Sequence, residues 1–184
     1  NGTAVHPVTA VEPDFVWPPA RITLAQRLWG EGFVEVGGAD LVRQLAVSLN
    51  PSPNVSLLDI SAGLGGAARA LNEMFGVYVT GLEAHPELAR IGAEMSKRKG
   101  MTKVASVEHY DPMQLAPTRL YNGVLAREGL FHQPHLGEVF ARAVKALKPG
   151  GTLVLLDYVR VPSENPNSRY LASMDSERQM VHPS

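Results

Sequence analysis

The sequence has no cysteine among its 184 residues. This absence excludes disulfide bonds, thiolate nucleophiles and metal sites that use cysteine, and it is typical of a reducing compartment. No basic segment followed by an apolar stretch opens the sequence, so no signal peptide is evident. No apolar run approaches the roughly 18 residues that a membrane span needs. We therefore expect a cytoplasmic protein that does not bind a membrane.

A strong excess of charge is also lacking. The 17 basic and 18 acidic residues give a formal net charge of −1 at pH 7. Because nucleic-acid-binding domains usually carry a basic patch or stripe, we expect no nucleic-acid partner. The length suits one domain of about 100 to 200 residues, and a hydrophobic content of 45% is ordinary for a globular protein.

The chain divides into three segments by composition. Residues 1–28 are rich in proline and are predicted to form an N-terminal arm and a short helix. Residues 29–160 contain the regular hydrophobic patterns of a folded domain, which we expect to bind the ligand. Residues 161–184 are polar and contain prolines, and no structure is assigned to them from the sequence.

Strands and helices alternate along the middle segment. Short apolar runs predict strands at 55–60, 77–82, 104–109, 121–126 and 152–159. Helical spacing of apolar residues predicts helices at 21–30, 39–49, 66–75, 86–99 and 135–147, and a turn is predicted at 148–151. This alternation indicates an α/β fold with a doubly wound, mostly parallel sheet and helices on both faces.

The glycine turn after the first predicted strand carries the main chemistry. Gly63 and Gly65 allow positive φ angles and let a ligand approach the backbone closely. The helix that follows directs its free N–H groups and its positive dipole end to the same place. Asp59 lies at the carboxyl end of the strand, where open α/β sheets bind ligands. A carboxylate there suits a ligand that carries an ammonium group.

Polar residues follow the next three predicted strands as well. Glu83 comes 18 residues after Gly65, and an acid about 20 residues beyond such a turn commonly binds ribose hydroxyls. Asp111 is placed to accept a hydrogen bond from an adenine amino group, and Arg127 would line the same crevice. Taken alone, the glycines indicate only a tight turn. Glu83 alone is typical of a solvated loop acid, and Asp111 alone is typical of a turn before Pro112. Because each acid falls just after a strand, we predict a nucleoside ligand.

A dinucleotide is the alternative nucleoside ligand. Residues 63–68 (GLGGAA) also satisfy the G-x-G-x-x-A pattern of an NAD-dependent dehydrogenase. Asp59 argues against it, because a negative charge is unfavourable beside a pyrophosphate. The first strand also ends in Asp-Ile-Ser rather than running apolar into the first glycine. In addition, the turn at 148–151 leads into a strand with Asp157 near its end.

The ordered set of these motifs resembles the class I S-adenosylmethionine-dependent methyltransferases of the small-molecule type, over roughly residues 29–159. Residues 57–66 (LLDISAGLGG) resemble the first motif of the family, and residues 81–83 (GLE) resemble its ribose-binding acid. Residues 110–112 (YDP) fall where the adenine-binding acid lies, and residues 147–151 (LKPGG) resemble the turn before the fifth strand.

This resemblance implies a Rossmann-like fold and S-adenosylmethionine as the cofactor, with S-adenosylhomocysteine as the product. Residues 30–34 (GEGFV) are similar to the entry segment of methyltransferases that act on phosphoethanolamine, sarcosine or quinone precursors. The implied methyl acceptor is therefore a small molecule. The residues implied to hold the cofactor are Asp59, Ser61, Ala62, Gly63, Gly65, Glu83, Ala84, Asp111, Pro112 and Arg127.

The implied reaction is an in-line displacement of the sulfonium methyl group by a substrate nucleophile, in which the protein mainly supplies alignment. His132 is the candidate general base, with Tyr110 as a second candidate. Packing of the adjacent loop is the alternative role for His132. No metal is predicted, because no clustering with carboxylates is evident for His85, His109 or His135.

Three departures from the family pattern bear on the function. Ser61 replaces the first glycine of the first motif, which would strain the backbone if that position needs a positive φ. Its hydroxyl is a candidate hydrogen-bond partner of the cofactor carboxylate. Asn122 replaces an aspartate that often opens the fourth strand. Only 25 residues follow Val159, with no evident strand pair, whereas the family's sheet continues with a helix and two strands.

We therefore expect a sheet truncated at its C-terminal end. The chain is then a fragment, the sheet is completed otherwise, or the domain is degenerate. An unfinished sheet leaves an exposed edge that favours pairing with another chain, so a homo-oligomer is expected. A non-catalytic S-adenosylmethionine-binding module of a larger or oligomeric protein stays open as an alternative to an active enzyme.

Overall fold

The computed structural model of the protein describes residues 17–130, 133 and 135–158. The helices are α1 (Pro19–Trp29), α2 (Gly38–Ala46), α3 (Gly66–Phe75), α4 (Pro86–Arg98) and α5 (Leu136–Lys145). The strands are β1 (Ser56–Asp59), β2 (Tyr78–Glu83), β3 (Ala105–His109), β4 (Tyr121–Arg127) and β5 (Leu147–Leu156). Short 3₁₀ turns cover Val47–Leu49 and Pro112–Gln114. All predicted helices and strands are present, and most bounds differ by at most three residues, but β5 begins five residues earlier than predicted.

The sheet is parallel, with strand order β3-β2-β1-β4-β5. Strand order therefore reverses beside β1, which pairs with β2 on one side and β4 on the other. In this register Asp59 lies opposite Gly81 of β2 and Leu125 of β4. Open α/β sheets bind ligands at such a reversal, outside the carboxyl ends of the strands. The predicted doubly wound α/β fold is confirmed, and its switch point lies at the predicted glycine turn.

Two hydrophobic layers cover the sheet. Successive residues of a strand point to opposite faces, so Leu57 and Leu58 of β1 enter different clusters. Leu57 packs with α2 and α3 through Val42 and Leu71, and Leu58 packs with α5 through Val139. A further cluster joins α1 to α4. Helices therefore pack on both faces of the sheet.

Helix α3 is fixed by glycine at both ends. Gly65 precedes it and Gly76 follows it in the left-handed conformation, and the Gly76 N–H donates to Asn72 O at 2.8 Å. Left-handed glycine is a common helix terminator because it lacks a β-carbon. Ala67 and Leu71 are completely buried, as helical spacing predicts. The helix therefore begins at the glycine turn with its first N–H groups directed at the strand ends.

The predicted turn at 148–151 is instead an irregularity within β5. Tyr121 pairs with Leu147 and Gly123 with Thr152, so the residues between Leu147 and Thr152 bulge out of the ladder. A bulge of this kind looks like a turn in sequence because Pro149 and Gly150 are typical of both.

Asn122 has a structural role beside this bulge. Its Oδ1 accepts hydrogen bonds from Ser56 N at 3.1 Å, Ser56 Oγ at 3.3 Å and Lys148 Nζ at 2.9 Å. One amide oxygen thus ties the amino-terminal ends of β1, β4 and β5 together. These contacts link three of the five strands at that end of the sheet.

Two predictions fall wholly or partly outside the described residues. The arm before residue 17 and the truncation expected beyond residue 158 lie there, so the proposed domain bounds stay predictions. Helix α1 is present, with Ile22 and Ala25 buried and with Leu24 and Leu28 exposed. In the described ranges, no helix combines the length and apolar character needed to cross a membrane.

Candidate functional site

The glycine turn has the backbone that the sequence predicts. Gly63 and Gly65 have φ angles of 54° and 77°, in the left-handed region. A β-carbon at Gly63 would collide with Glu35 Oε1, and one at Gly65 would collide with Val107 Cγ2. Ser61 does not adopt a positive φ, so serine is unstrained there. Glycine is thus required at 63 and 65 but not at 61.

Asp59 is the most deeply buried acid of the site. It is 0% exposed, and its Oδ1 accepts a hydrogen bond from Ser61 N at 3.1 Å. Its Oδ2 is buried and has no hydrogen-bond partner. Burial raises the pKa of Asp59, and the positive charge of Arg127 opposes this rise. A buried carboxylate oxygen without a donor is costly, so it marks a place where a ligand group would be stabilised.

Glu83 connects β2 to the glycine turn. Its Oε2 accepts from Gly63 N at 2.7 Å, and its Oε1 accepts from His85 N at 2.8 Å. Burial raises its pKa, while these two backbone donors lower it. Each carboxylate oxygen can accept a second hydrogen bond, so the side chain still has capacity for ribose hydroxyls. The structure brings Glu83 to the place that the sequence predicts.

Ser61 and Ala62 fasten the turn to the neighbouring strands. Ser61 Oγ accepts from Arg127 N at 2.6 Å, which uses the hydroxyl as an acceptor toward β4. Ala62 N donates to Leu82 O at 3.0 Å. The hydroxyl proton of Ser61 is not used in the bond to Arg127, and a bond to the cofactor carboxylate stays a prediction.

Arg127 and Glu35 form a buried ion pair beside the turn. Nη2 of Arg127 lies 3.3 Å from Oε2 of Glu35, with side chains 1% and 10% exposed. Arg127 Nε and Nη1 are buried and have no partner. The sequence does not single out Glu35, although an acid between Val34 and Val36 in an apolar, glycine-flanked segment is the signal that would have found it.

The environment of Glu35 is acidic. Burial raises its pKa to about 7, Asp59 and Glu83 add to the rise, and Arg127 opposes it. Burial disfavours the charged form of a carboxyl group, and nearby negative charges do the same. Glu35 therefore titrates near neutral pH, unlike an ordinary glutamate.

Tyr110 crosses the crevice between β1 and β3. Its hydroxyl donates to Ile60 O at 2.7 Å, and burial raises the pKa of this phenol. Both effects keep its proton in place, so the geometry does not favour Tyr110 as a general base. Beside the ring lies a cavity of about 30 Å³, and its lining residues are Ile60, Ser61, Glu83, Ala84, Tyr110, Gly129 and Gln133.

Asp111 lies at the margin of the site. It is exposed, its Oδ1 accepts from Met113 N at 2.9 Å, and its Oδ2 accepts from Gln114 Nε2 at 2.9 Å. These contacts cap the short 3₁₀ turn that begins at Pro112. Adenine binding by Asp111 and Pro112 stays a prediction. Ala84 lines the cavity from the end of β2.

The segment after β4 is positioned by β5. Glu128 has a φ of 49°, an uncommon value for a residue with a side chain. Its N–H donates to Leu156 O at 2.8 Å, and Leu130 N donates to Asp157 Oδ2 at 2.9 Å. His132, the candidate base, lies outside the described residues.

The structure thus brings most of the predicted site together. The carboxylates of Asp59 and Glu83 and the guanidinium of Arg127 meet at the turn, with Ser61 behind it. Among the described residues, no three His, Cys, Asp or Glu side chains are grouped as a metal site would need.

Comparisons with known proteins point to one family. A family model described as a methyltransferase domain matches residues 29–183. Phosphoethanolamine N-methyltransferase 1 of Zea mays is 26% identical over 140 residues, which are 76% of this chain and 28% of that protein. Sterol 24-C-methyltransferase of Yarrowia lipolytica is 28% identical over 116 residues, 62% of this chain and 30% of that protein.

A solved structure shows the same fold. Phosphoethanolamine N-methyltransferase 2 of Haemonchus contortus, in complex with S-adenosyl-L-methionine, superposes with a TM-score of 0.80 at 22% identity. The match covers 95% of this chain and 42% of that one. The chain thus spans 28% to 42% of the lengths of these three proteins. With the family model matched over most of its length, and with the Rossmann-like fold predicted from its motifs, the chain belongs to the methyltransferase domain family.

Proposed function

We propose that this chain is the cofactor-binding part of an S-adenosylmethionine-dependent methyltransferase that methylates a small molecule. The observation that carries the proposal is the unpartnered, fully buried Oδ2 of Asp59 beside the Gly63–Gly65 turn, at the switch point of the sheet. Membership of the methyltransferase domain family supports it. The comparisons give no support to the dehydrogenase alternative.

The residues of the site fit this cofactor. The turn at Gly63 and Gly65 lets a ligand approach the backbone, and Asp59 offers an acceptor for the ammonium group of the amino-acid end. Glu83 offers acceptors to the ribose hydroxyls. Ala84, Asp111 and Pro112 follow β2 and β3, where they would flank the adenine. Arg127 offers N–H groups to the carboxylate of the amino-acid end.

When bound, S-adenosylmethionine supplies an electrophilic methyl group on a sulfonium. The task of this chain is then to align the two reactants and to keep water out. A general base is needed only for a nucleophile that arrives protonated, and His132 is the proposed base. Tyr110 is better suited to close the crevice, because its hydroxyl donates to Ile60 O.

The acceptor is proposed as a small molecule with an amine or carbon nucleophile. Support comes from the relatives, whose names specify a phosphoethanolamine N-methyltransferase and a sterol 24-C-methyltransferase. A structure of the Haemonchus protein also contains phosphomonomethylethanolamine and S-adenosylhomocysteine. The first acceptors to test are therefore phosphoethanolamine and its methylated forms.

Calorimetric titration with S-adenosylhomocysteine tests the cofactor, with NAD as the comparison ligand. We expect binding of the first and not the second, and Glu83→Ala should lower the affinity about 10- to 100-fold through lost charged hydrogen bonds. Glu108→Ala, an exposed acid on β3, is the matched control and should bind normally. No heat with S-adenosylhomocysteine at millimolar concentration, or selective binding of NAD, contradicts the proposal.

Transfer of a labelled methyl group to a panel of amines, hydroxyls and activated carbons tests catalysis. Binding without any transfer would favour the alternative of a non-catalytic S-adenosylmethionine-binding module. Two further proposals concern the whole protein. Pairing of copies through a sheet edge is tested by sedimentation, and a cytoplasmic location is tested by imaging a tagged full-length protein.

A further inference from the structure

Glu35 lies next to the glycine turn. A β-carbon on Gly63 would collide with its Oε1, so this oxygen lies directly over the turn. Its other oxygen is 3.3 Å from Arg127 Nη2, and its side chain is only 10% exposed. An acid held this closely over a ligand-binding backbone affects any ligand that binds there.

The charges around Glu35 do not balance. The groups that face it are Arg127 from β4, Asp59 from β1 and Glu83 from β2. One guanidinium thus stands among three carboxyl groups. Buried charges are stable only when they are paired or hydrogen-bonded, and Asp59 Oδ2 is buried without a partner. The cluster therefore favours the binding of a further cationic group.

Unpartnered donors lie in the same cluster. Arg127 Nε and Nη1 are buried and bond to nothing in the described structure. A free acceptor on Asp59 beside free donors on Arg127 matches a ligand that carries an ammonium and a carboxylate on one carbon. That is the chemistry of an α-amino acid, and the cofactor of the proposed function ends in one.

We propose that Glu35 binds the ammonium group of the amino-acid end of the cofactor together with Asp59, and so selects nucleosides that carry that end. This inference rests on the proposed function and adds a specificity-determining residue to it. It assigns a role to an acid that would otherwise be an unexplained buried charge.

Binding through Glu35 is coupled to a proton. Because burial raises the pKa of Glu35 to about 7, part of the unliganded protein is protonated there near neutral pH. An ammonium group binds the carboxylate form, so binding releases a proton, and affinity rises as the pH goes from 6 to 8. A nucleoside without the amino-acid end has no such effect.

Calorimetry with two ligands tests this inference. S-adenosylhomocysteine carries the amino-acid end, and 5′-methylthioadenosine has the same nucleoside and sulfur without it. Titrations at pH 7 in phosphate and in Tris, which differ in ionisation enthalpy, measure the protons released. We expect release with S-adenosylhomocysteine and none with 5′-methylthioadenosine.

Glu35→Gln should remove the proton release and lower the affinity for S-adenosylhomocysteine about 10- to 100-fold. Its affinity for 5′-methylthioadenosine should stay unchanged, which also shows that the variant is folded. Glu31→Gln is the matched control, because Glu31 lies in the same glycine-rich segment with a side chain 69% exposed.

Equal or tighter binding of S-adenosylhomocysteine by Glu35→Gln overturns the inference, because Glu35 would then only occupy the place of the ligand carboxylate at Arg127. If Glu35→Gln does not fold, the titrations of the wild-type protein test the inference. Equal proton release on binding of the two ligands then overturns the inference. Failure of the wild-type protein to bind either nucleoside instead overturns the proposed function itself.

Discussion

Arg69 and Arg127 are both buried, 3% and 1% exposed, but their surroundings differ. Arg69 lies between α3 and α4, where its guanidinium donates to Leu64 O at 2.8 Å and to Ser96 Oγ at 3.0 Å, with Gly92 O at 3.5 Å. Arg127 lies at the end of β4, where Glu35 is near one nitrogen and two other nitrogens have no partner.

The difference separates an arginine that is satisfied within the fold from one whose free donors the proposed ligand would satisfy. Arg69 is satisfied by the protein itself, so it stabilises the packing of two helices. Arg127 keeps free donors in a place where native proteins rarely leave them. Unsatisfied polar groups collect at functional sites because a ligand completes them. Substitutions at the two arginines, at the glycine turn and at Glu35 test this contrast.

Replacing each arginine by methionine should separate stability from binding. We expect Arg69→Met to lower the free energy of unfolding by about 3–4 kcal/mol, since it removes several buried hydrogen bonds, and to leave the affinity for S-adenosylhomocysteine within about threefold. Arg127→Met should lower stability by only about 1 kcal/mol, because few bonds are lost and Glu35 can take up a proton, but it should weaken binding strongly.

Urea denaturation and calorimetry measure the two effects, and Arg98→Met, an exposed change on α4, is the control. The contrast is contradicted if Arg127→Met lowers the free energy of unfolding as much as Arg69→Met does and still binds S-adenosylhomocysteine normally.

Gly63→Ala should destabilise the protein more than Gly100→Ala. Both glycines have positive φ, 54° and 69°, so both variants incur about 1–2 kcal/mol of backbone strain. An added β-carbon meets nothing within 4 Å at Gly100 but collides with Glu35 at Gly63. We expect a total loss of about 2–3 kcal/mol at Gly63, from strain and overpacking, with loss of nucleoside binding. Equal losses at the two positions would show that Glu35 does not lie over the turn.

The raised pKa of Glu35 should make the free energy of unfolding depend on pH. Its pKa is raised from 4.5 to about 7, so between these values the folded protein holds a proton that the unfolded chain has lost. The contribution of Glu35 to stability is therefore greatest below pH 4.5 and declines as the pH rises to 7, by on the order of 1–3 kcal/mol. Urea denaturation at several pH values should give a smaller decline in Glu35→Gln. Parallel curves for the two proteins contradict the assignment.

The sequence predicts nearly all of the fold, because its signals are local. Apolar runs locate the buried strands, and left-handed glycines at 65 and 76 limit α3. The ends of parallel strands meet at one edge, so Asp59 and Glu83 are predicted to lie together without knowledge of any contact. The prediction of a turn at 148–151 is wrong because proline and glycine, which occupy 149 and 150, are typical of both a turn and a bulge.

The remainder of the site depends on contacts between distant segments. Glu35 lies 92 residues from Arg127 in sequence, and no periodicity relates the two. Tyr110 is 50 residues from Ile60, so its place across the crevice is equally hidden. Ser61 departs from the family's glycine without strain, and only the backbone angles show that its position does not require a positive φ.

The Tyr110 ring also bears on how the crevice keeps its shape. Its hydroxyl donates to Ile60 O across the crevice, and the ring lines a cavity together with Glu83 and Ala84. One side-chain hydrogen bond therefore joins the segment after β3 to the residue that follows β1, in addition to the ladder of the sheet. The spacing of these two segments thus depends on a side chain as well as on strand pairing.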